Sequence, residues 1–352
     1  MFPAPNSRIE SADASAALSF FRFSLALMVL VEHLSAQVPP QTGRVAVEAF
    51  FCISGFLITM VASGRYAGRP GAFIANRFLR IYPTYWACLA IGFAVVMLLP
   101  QSVALHPSLI VPQTAGDWLA NVGVFGLSQM TVSRMLPAAW SLHTELWFYA
   151  IIGLVTAIRP RASVAMLIVT LLFSAYCAFW WGPVEFYGTP LGNADAFFIG
   201  SVVYQYRERL KPKRPLLLAS VAFVAFEVLA WGPYLPTQSV TEFVAAPVAG
   251  LLLLGLWNAD FGGALARWKS EATLVGRLSY PLFLVHWPLG AVIASVFGWE
   301  QGWPMAVVGG VLSLAIALLV LWLIEDPLMR VRAQIRRTGP APLLEPMPAI
   351  SD

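Results

Sequence analysis

Charge is scarce in this chain: 11% of its 352 residues are Asp, Glu, Lys or Arg, against roughly a quarter in an ordinary soluble domain. With 59% of residues hydrophobic, a water-facing shell cannot be assembled. Cysteine is nearly absent. Cys52, Cys88 and Cys177 each lie within an apolar segment, and no paired spacing suggests a disulfide framework or a thiolate metal site. They read as small buried hydrophobes. The net charge of +4 comes from short basic clusters between apolar runs, which excludes a nucleic-acid patch and fits the positive-inside pattern. No internal repeat is evident, which counts against an inverted-repeat transporter. The first 17 residues lack the short apolar core and cleavage site of a secretory signal, so the first hydrophobic segment is expected to stay as an anchor.

What the chain does have is long apolar stretches. A spanning helix needs about 20 mostly apolar residues, and ten stretches qualify: 18–36, 44–63, 83–100, 139–158, 162–181, 186–205, 215–232, 240–257, 274–297 and 303–324. The expected fold is an all-α polytopic membrane protein of about ten transmembrane helices. A cytosolic tail over 1–17 precedes one transmembrane domain over 18–330, and a cytosolic, disordered tail over 331–352 follows it. With a cytosolic N-terminus, the inside segments collect 19 of the 22 basic residues. Arg22 starts the first helix on the same side, and Arg44 and Arg134 fall outside. Both termini are therefore placed in the cytosol. The outer segment 101–137 reads, around Asp117 to Leu127, either as an interfacial helix or as a plain loop. The inner segment 64–82 carries four arginines and is read as the start of a helix projecting into the cytosol. Breaks are expected at Gly182-Pro183, Gly232-Pro233 and Trp287-Pro288.

Ionisable side chains within a span cost several kcal/mol unless they face a cavity or a partner, so each marks a functional candidate. They are Arg22, His33, Glu48, His143, Glu145, Asp195, Glu227, Glu242 and His286. His33, eleven residues beyond Arg22, lies about 16 Å further along the first helix, in the outer half. His143 and Glu145 enter from the outer side to a similar depth, with Glu48 and His286 level or slightly deeper. Several helices thus bring proton-handling groups to one depth. No spacing places two ligands one helical turn apart, so no metal is expected. Arg77 and Arg80, three residues apart, share a helix face. They read equally as a headgroup anchor or as a phosphate clamp.

Six pieces occur in order: Arg22 with His33 after ten intervening residues; Phe50-Phe51-Cys52-Ile53-Ser54-Gly55-Phe56-Leu57-Ile58; Arg77-Phe78-Leu79-Arg80-Ile81-Tyr82-Pro83; Trp140-Ser141-Leu142-His143-Thr144-Glu145-Leu146-Trp147-Phe148-Tyr149; Leu278-Ser279-Tyr280-Pro281-Leu282-Phe283-Leu284-Val285-His286-Trp287-Pro288; and Glu325-Asp326-Pro327. From Phe20 to about Arg330 the chain resembles the integral-membrane acyltransferase-3 family, whose members O-acylate bacterial surface polysaccharides, glycolipids, glucans or macrolides. Glu48 stands where an aspartate is common, Phe283 at a usual tyrosine position, and Asp326 in place of the arginine of a Glu-Arg-Pro motif.

The resemblance implies an O-acyltransferase of the inner membrane. It would move an acyl group, most simply acetyl, from cytosolic acyl-CoA to a carbohydrate hydroxyl on a surface polysaccharide, lipid-linked glycan or glycolipid. No nucleic acid and no metal take part. His33 is implied as catalytic residue, supported by Arg22, with Glu145 or Glu48 orienting it. Arg77, Arg80, Tyr82 and Ser54 are implied at the donor, with Ser54 and Gly55 near the chamber. Trp140, Ser141, His143, Tyr149, Tyr280 and His286 are implied as chamber or acceptor lining. Ser54 or a backbone amide is expected to serve the oxyanion, and His33 acts either as general base or as transient acyl carrier. No hydrolase-like domain follows, so the membrane unit is expected to complete the transfer itself. A glycolipid transporter with a buried His/Glu proton relay is the alternative.

Overall fold

The computed structural model describes residues 7–127, 133–153, 160–181 and 187–337, and among these no strand occurs. The helices are α1 Ser7–Leu34, α2 Gln41–Met60, α3 Pro70–Leu98, α4 Ala115–Gly123, α5 Ala139–Ile151, α6 Pro160–Tyr176, α7 Ala194–Tyr206, α8 Pro215–Trp231, α9 Gln238–Asn258, α10 Lys269–Phe297, α11 Trp303–Val320 and α12 Asp326–Arg337. Among the described residues, seven helical segments are long and apolar enough to cross a membrane. α5 and α7, of 13 residues each, and α8, of 17, are shorter than that length. The chain is an all-helical, multi-pass membrane protein.

Local chemistry explains the helix ends. Pro70 and Pro215 open α3 and α8, where a pre-set φ costs no hydrogen bond. Thr114 and Asp117 close a reciprocal capping box on α4, so the segment 101–137 does carry a short helix. α10 stops at Gly298, whose φ of 66° favours glycine. Three boundaries differ from expectation. α1 begins at Ser7, and the buried Asp13 carboxylate accepts the amides of Gly263 and Ala266, tying the supposed tail to the fold. α10 runs unbroken through Pro288, where a break was expected, while the arginine-bearing segment does open a helix: α3 begins at Pro70 and holds Arg77 and Arg80. α12 continues as helix to Arg337 where a disordered tail was expected, and Arg69 Nη2 donates to the Ile335 carbonyl. The expected break at Gly182-Pro183, the end of the 139–158 span and the tail from 338 onward lie outside the described residues.

Helices pair chiefly as α2 with α7, α1 with α10, α8 with α9 and α10 with α11. The α2–α7 crossing depends on two glycines. A Cβ on Gly55 would strike the Phe197 carbonyl, and one on Gly200 the Cys52 carbonyl. Small residues that let backbones approach are the usual basis of helix association in lipid. Gly55 thus faces α7, while its neighbour Ser54, about 100° round the helix, faces the cavity and Glu145.

Candidate active site

Four helices enclose a cavity lined by Arg22 of α1, Val47, Phe50, Phe51 and Ser54 of α2, Ser141, Leu142 and Glu145 of α5, and Ser279, Tyr280, Phe283 and Leu284 of α10. Because α2 and α5 run toward the arginine-rich face and α10 away from it, these residues sort by depth. Arg22, Ser54, Glu145 and Ser279 form the end nearer the basic face. Val47, Phe50, Leu142, Phe283 and Leu284 form a mainly apolar far end. At the polar end Ser54 Oγ donates to Glu145 Oε1 at 2.6 Å, and the Tyr149 hydroxyl donates to the same oxygen. The Arg77 guanidinium lies 5.8 Å from the Tyr149 ring centre, and Arg22 is within electrostatic range of Glu145, Tyr149, Arg77 and Arg80. Tyr280 lends its hydroxyl to the Ile81 carbonyl at 3.2 Å, joining α10 to α3.

Beyond the far end stand two imidazoles. His286 Nδ1 is 2.7 Å from the Phe283 carbonyl oxygen, and His286 Nε2 is 2.7 Å from His33 Nδ1. A carbonyl only accepts, so Nδ1 of His286 carries the proton. Its neutral Nε2 then accepts from Nδ1–H of His33. That chain leaves the lone pair of neutral His33 on Nε2, which is 3.2 Å from Glu32 Oε2, a contact that needs one proton held by either the carboxyl or the imidazole. The rings of His33 and His286 stack with centres 5.0 Å apart, and Trp287 packs 4.7 Å from His33. His106, from the segment 101–137, also packs on Trp287, with ring centres 4.6 Å apart. Burial, with help from Arg134, pushes the His106 pKa down to about 4, so at neutral pH it adds no charge there. Glu32 has room because residue 43 is glycine: a Cβ there would come within 2.6 Å of Glu32 Oε2.

Several residues expected together are therefore together: Arg22, Ser54, Ser141, Glu145 and Tyr280 line the cavity, Tyr149 backs it, and His33 and His286 pair beyond its far end. Others stand elsewhere. Glu48 lines a second cavity with Asp195, Glu242 and Tyr187. The orienting contacts expected from Glu145 or Glu48 are replaced by those of His286 and Glu32. Ser54 spends its hydroxyl hydrogen on Glu145, which removes it as oxyanion donor in this arrangement. His143 turns toward the segment 101–137, where Nδ1 accepts the Gly126 amide at 3.2 Å. Tyr82 donates to the Gly123 carbonyl at 2.9 Å and packs on Phe78, away from the cavity. Trp140 packs between Phe51 and Tyr187. The residues sequence reading missed are Glu32, Gly43, His106 and Trp287. Glu32 adjoins His33 in a spanning segment and was detectable as an ionisable residue; His106 lies in a loop and carried no signal.

The two arginines of α3 have different surroundings. Arg80 pairs with Glu325 at 3.5 Å, and the same buried carboxylate receives Arg277 at 3.4 Å and Thr84 at 3.3 Å. A π-helical turn over Leu321–Glu325 delivers it, and Asp326 takes the other side of Arg277 at 2.5 Å. Arg77, by contrast, has a buried Nε that meets no hydrogen-bond partner among the described residues. Glu325→Ala is expected to destabilise the fold by about 1–3 kcal/mol, the cost of leaving buried donors unpaired. A thermal unfolding midpoint in detergent unchanged from wild type would show that the cluster does not hold α3, α10 and α12 together.

The sequence profile described as an acyltransferase domain, Acyl_transf_3, matches residues 13–322. BcsY of Komagataeibacter xylinus, named as a membrane-bound transacylase, is 26% identical over 296 residues, or 79% of this chain and 74% of its own. The exopolysaccharide production protein ExoZ of Rhizobium meliloti (strain 1021) is 29% identical over 310 residues, covering 84% of this chain and 92% of its own. Protein 2 in the picA locus of Rhizobium radiobacter is 31% identical over 120 residues, or 30% of this chain and 63% of its own. No solved structure matches. The profile covers α1 to α11, the helices that build the cavity and the imidazole pair, and the chain belongs to the acyltransferase-3 family of membrane acyltransferases.

Proposed function

We propose that this acyltransferase moves an acyl group, most simply acetyl, from cytosolic acyl-CoA to a hydroxyl of a surface polysaccharide, lipid-linked glycan or glycolipid on the far side of the inner membrane. Ten passes with both termini in the cytosol put the basic face, with Arg77 and Arg80, where CoA is available. The acceptor class rests on the name of ExoZ, an exopolysaccharide production protein. The single observation carrying the chemistry is the hydrogen-bond chain Phe283–His286–His33, which leaves the Nε2 lone pair of His33 as the base.

In this reading the CoA phosphates dock on Arg77 and Arg80, and the pantetheine arm enters past Arg22, Ser54 and Glu145. The acyl group occupies the apolar end of the cavity. His33 Nε2 takes the proton of the attacking hydroxyl while its oxygen bonds to the thioester carbonyl carbon. Collapse of the tetrahedral intermediate breaks the C–S bond, and the imidazolium returns the proton to the departing thiolate. Glu32 stabilises the imidazolium through Nε2 before that return, and His286 fixes the ring through Nδ1.

The test incubates purified protein with radiolabelled acetyl-CoA, with and without isolated exopolysaccharide oligosaccharides. Free CoA is expected to rise only when acceptor is present, with label on the glycan. A preparation that moves label from no acyl-CoA to any glycan overturns the reading.

A further inference from the structure

We propose that Phe50 and Phe283 together form the acyl-length filter of this enzyme, bounding the apolar end of the donor cavity beside the imidazole pair. The proposal rests on the acyl-transfer reading above and names the specificity of the same site. The cavity changes character along its length, from Arg22, Ser54 and Glu145 at one end to Val47, Phe50, Leu142, Phe283 and Leu284 at the other. A thioester entering from the polar end directs its hydrocarbon tail at this apolar wall.

The wall has fixed and adjustable parts. Leu142 and Leu284 are buried, and Phe51 is stacked on Phe197 with ring centres 4.8 Å apart, so neither side yields. Phe50 and Phe283 are only half-buried and meet edge to face, ring centres 5.8 Å apart at 62°. Beside them stands the support of the base: the Phe283 ring centre is 6.0 Å from that of His286, and the Phe283 carbonyl accepts from His286 Nδ1. One residue therefore presents a ring to the acyl chain and a carbonyl to the imidazole chain. A longer chain pressing on the Phe283 ring would press on the support of the base, so chain length is sensed where the reaction occurs. Truncating either ring leaves the backbone carbonyl in place, which separates the two roles.

The experiment compares acetyl-CoA with butyryl-CoA as donors to one glycan acceptor, for wild type, Phe50→Ala and Phe283→Ala. The quantity read is the ratio of kcat/KM for the two donors. Each added methylene in a well-fitted apolar pocket changes such ratios by about tenfold or more, so wild type is expected to favour acetyl strongly. Either alanine variant is expected to raise the butyryl-to-acetyl ratio at least about tenfold. If wild type transfers neither acyl group, the functional reading itself fails. If wild type transfers acetyl and both variants keep its ratio, the filter is overturned while the acyltransferase reading stands. Should an alanine variant not purify as a monodisperse protein, Phe50→Leu and Phe283→Leu are read in the same way. A raised ratio supports the filter and an unchanged ratio overturns it.

Discussion

Replacing His33 by alanine is expected to lower acyl transfer by about 10²- to 10⁴-fold, the usual contribution of a positioned general base. The helices should assemble normally, because the His33 side chain meets His286, Glu32 and Trp287 and stands apart from the apolar clusters of the core. The geometry makes the expectation more specific. Nδ1 is engaged by His286, so only Nε2 remains for the acceptor proton, and Glu32 is the carboxylate beside it. Glu32→Gln should lower transfer less than His33→Ala, since it keeps the shape while removing the carboxyl that can exchange a proton with Nε2. Initial rates of labelled acetyl transfer, with unfolding midpoints as the control for folding, measure both. Full activity in His33→Ala would remove the imidazole from the chemistry.

Arg77→Ala is expected to weaken CoA binding by about tenfold to a hundredfold, the equivalent of one charge-assisted hydrogen bond. Arg77 is the more informative member of the pair. The Arg80 charge is already opposed by Glu325, whereas the Nε of Arg77 is buried without a hydrogen-bond partner among the described residues. Arg77→Lys should recover part of the affinity, because an ammonium supplies charge without the bidentate fork. Titration calorimetry of CoA against the detergent-solubilised protein reads the effect. An affinity unchanged in both variants would reduce Arg77 to an anchor at the membrane boundary.

Much of this molecule was legible in one dimension. Apolar run length marked most of the helices, and the order of motifs from Arg22 to Pro327 pointed to the acyltransferase-3 family, which the profile over residues 13–322 shows. Depth was legible only in part: residue count sets His33 about 16 Å beyond Arg22 along one helix, but Glu145, expected level with His33, sits with Arg22 and Ser54 at the other end of the cavity. The failures of facing have a common origin. Glu48 is expected beside His33 on depth alone. Depth says nothing of rotation about the helix axis, and Glu48 faces Asp195 while Glu145 faces Ser54 and Tyr149. His143 was grouped with the other histidines for the same reason and instead accepts the Gly126 amide. The first helix starts well before its apolar stretch, at Ser7, because polar residues continue it.

By itself, then, the sequence determined a helical membrane protein, its acyltransferase class and an imidazole eleven residues beyond an arginine, since hydropathy, spacing and motif order are properties of the chain. Only the tertiary structure decided which carboxylate meets that imidazole, which histidine supports it and where the cavity ends. Those are matters of helix facing. Facing is set by long-range packing, such as the Gly55–Gly200 approach that turns Ser54 toward α5 and the missing side chain at Gly43 that admits Glu32.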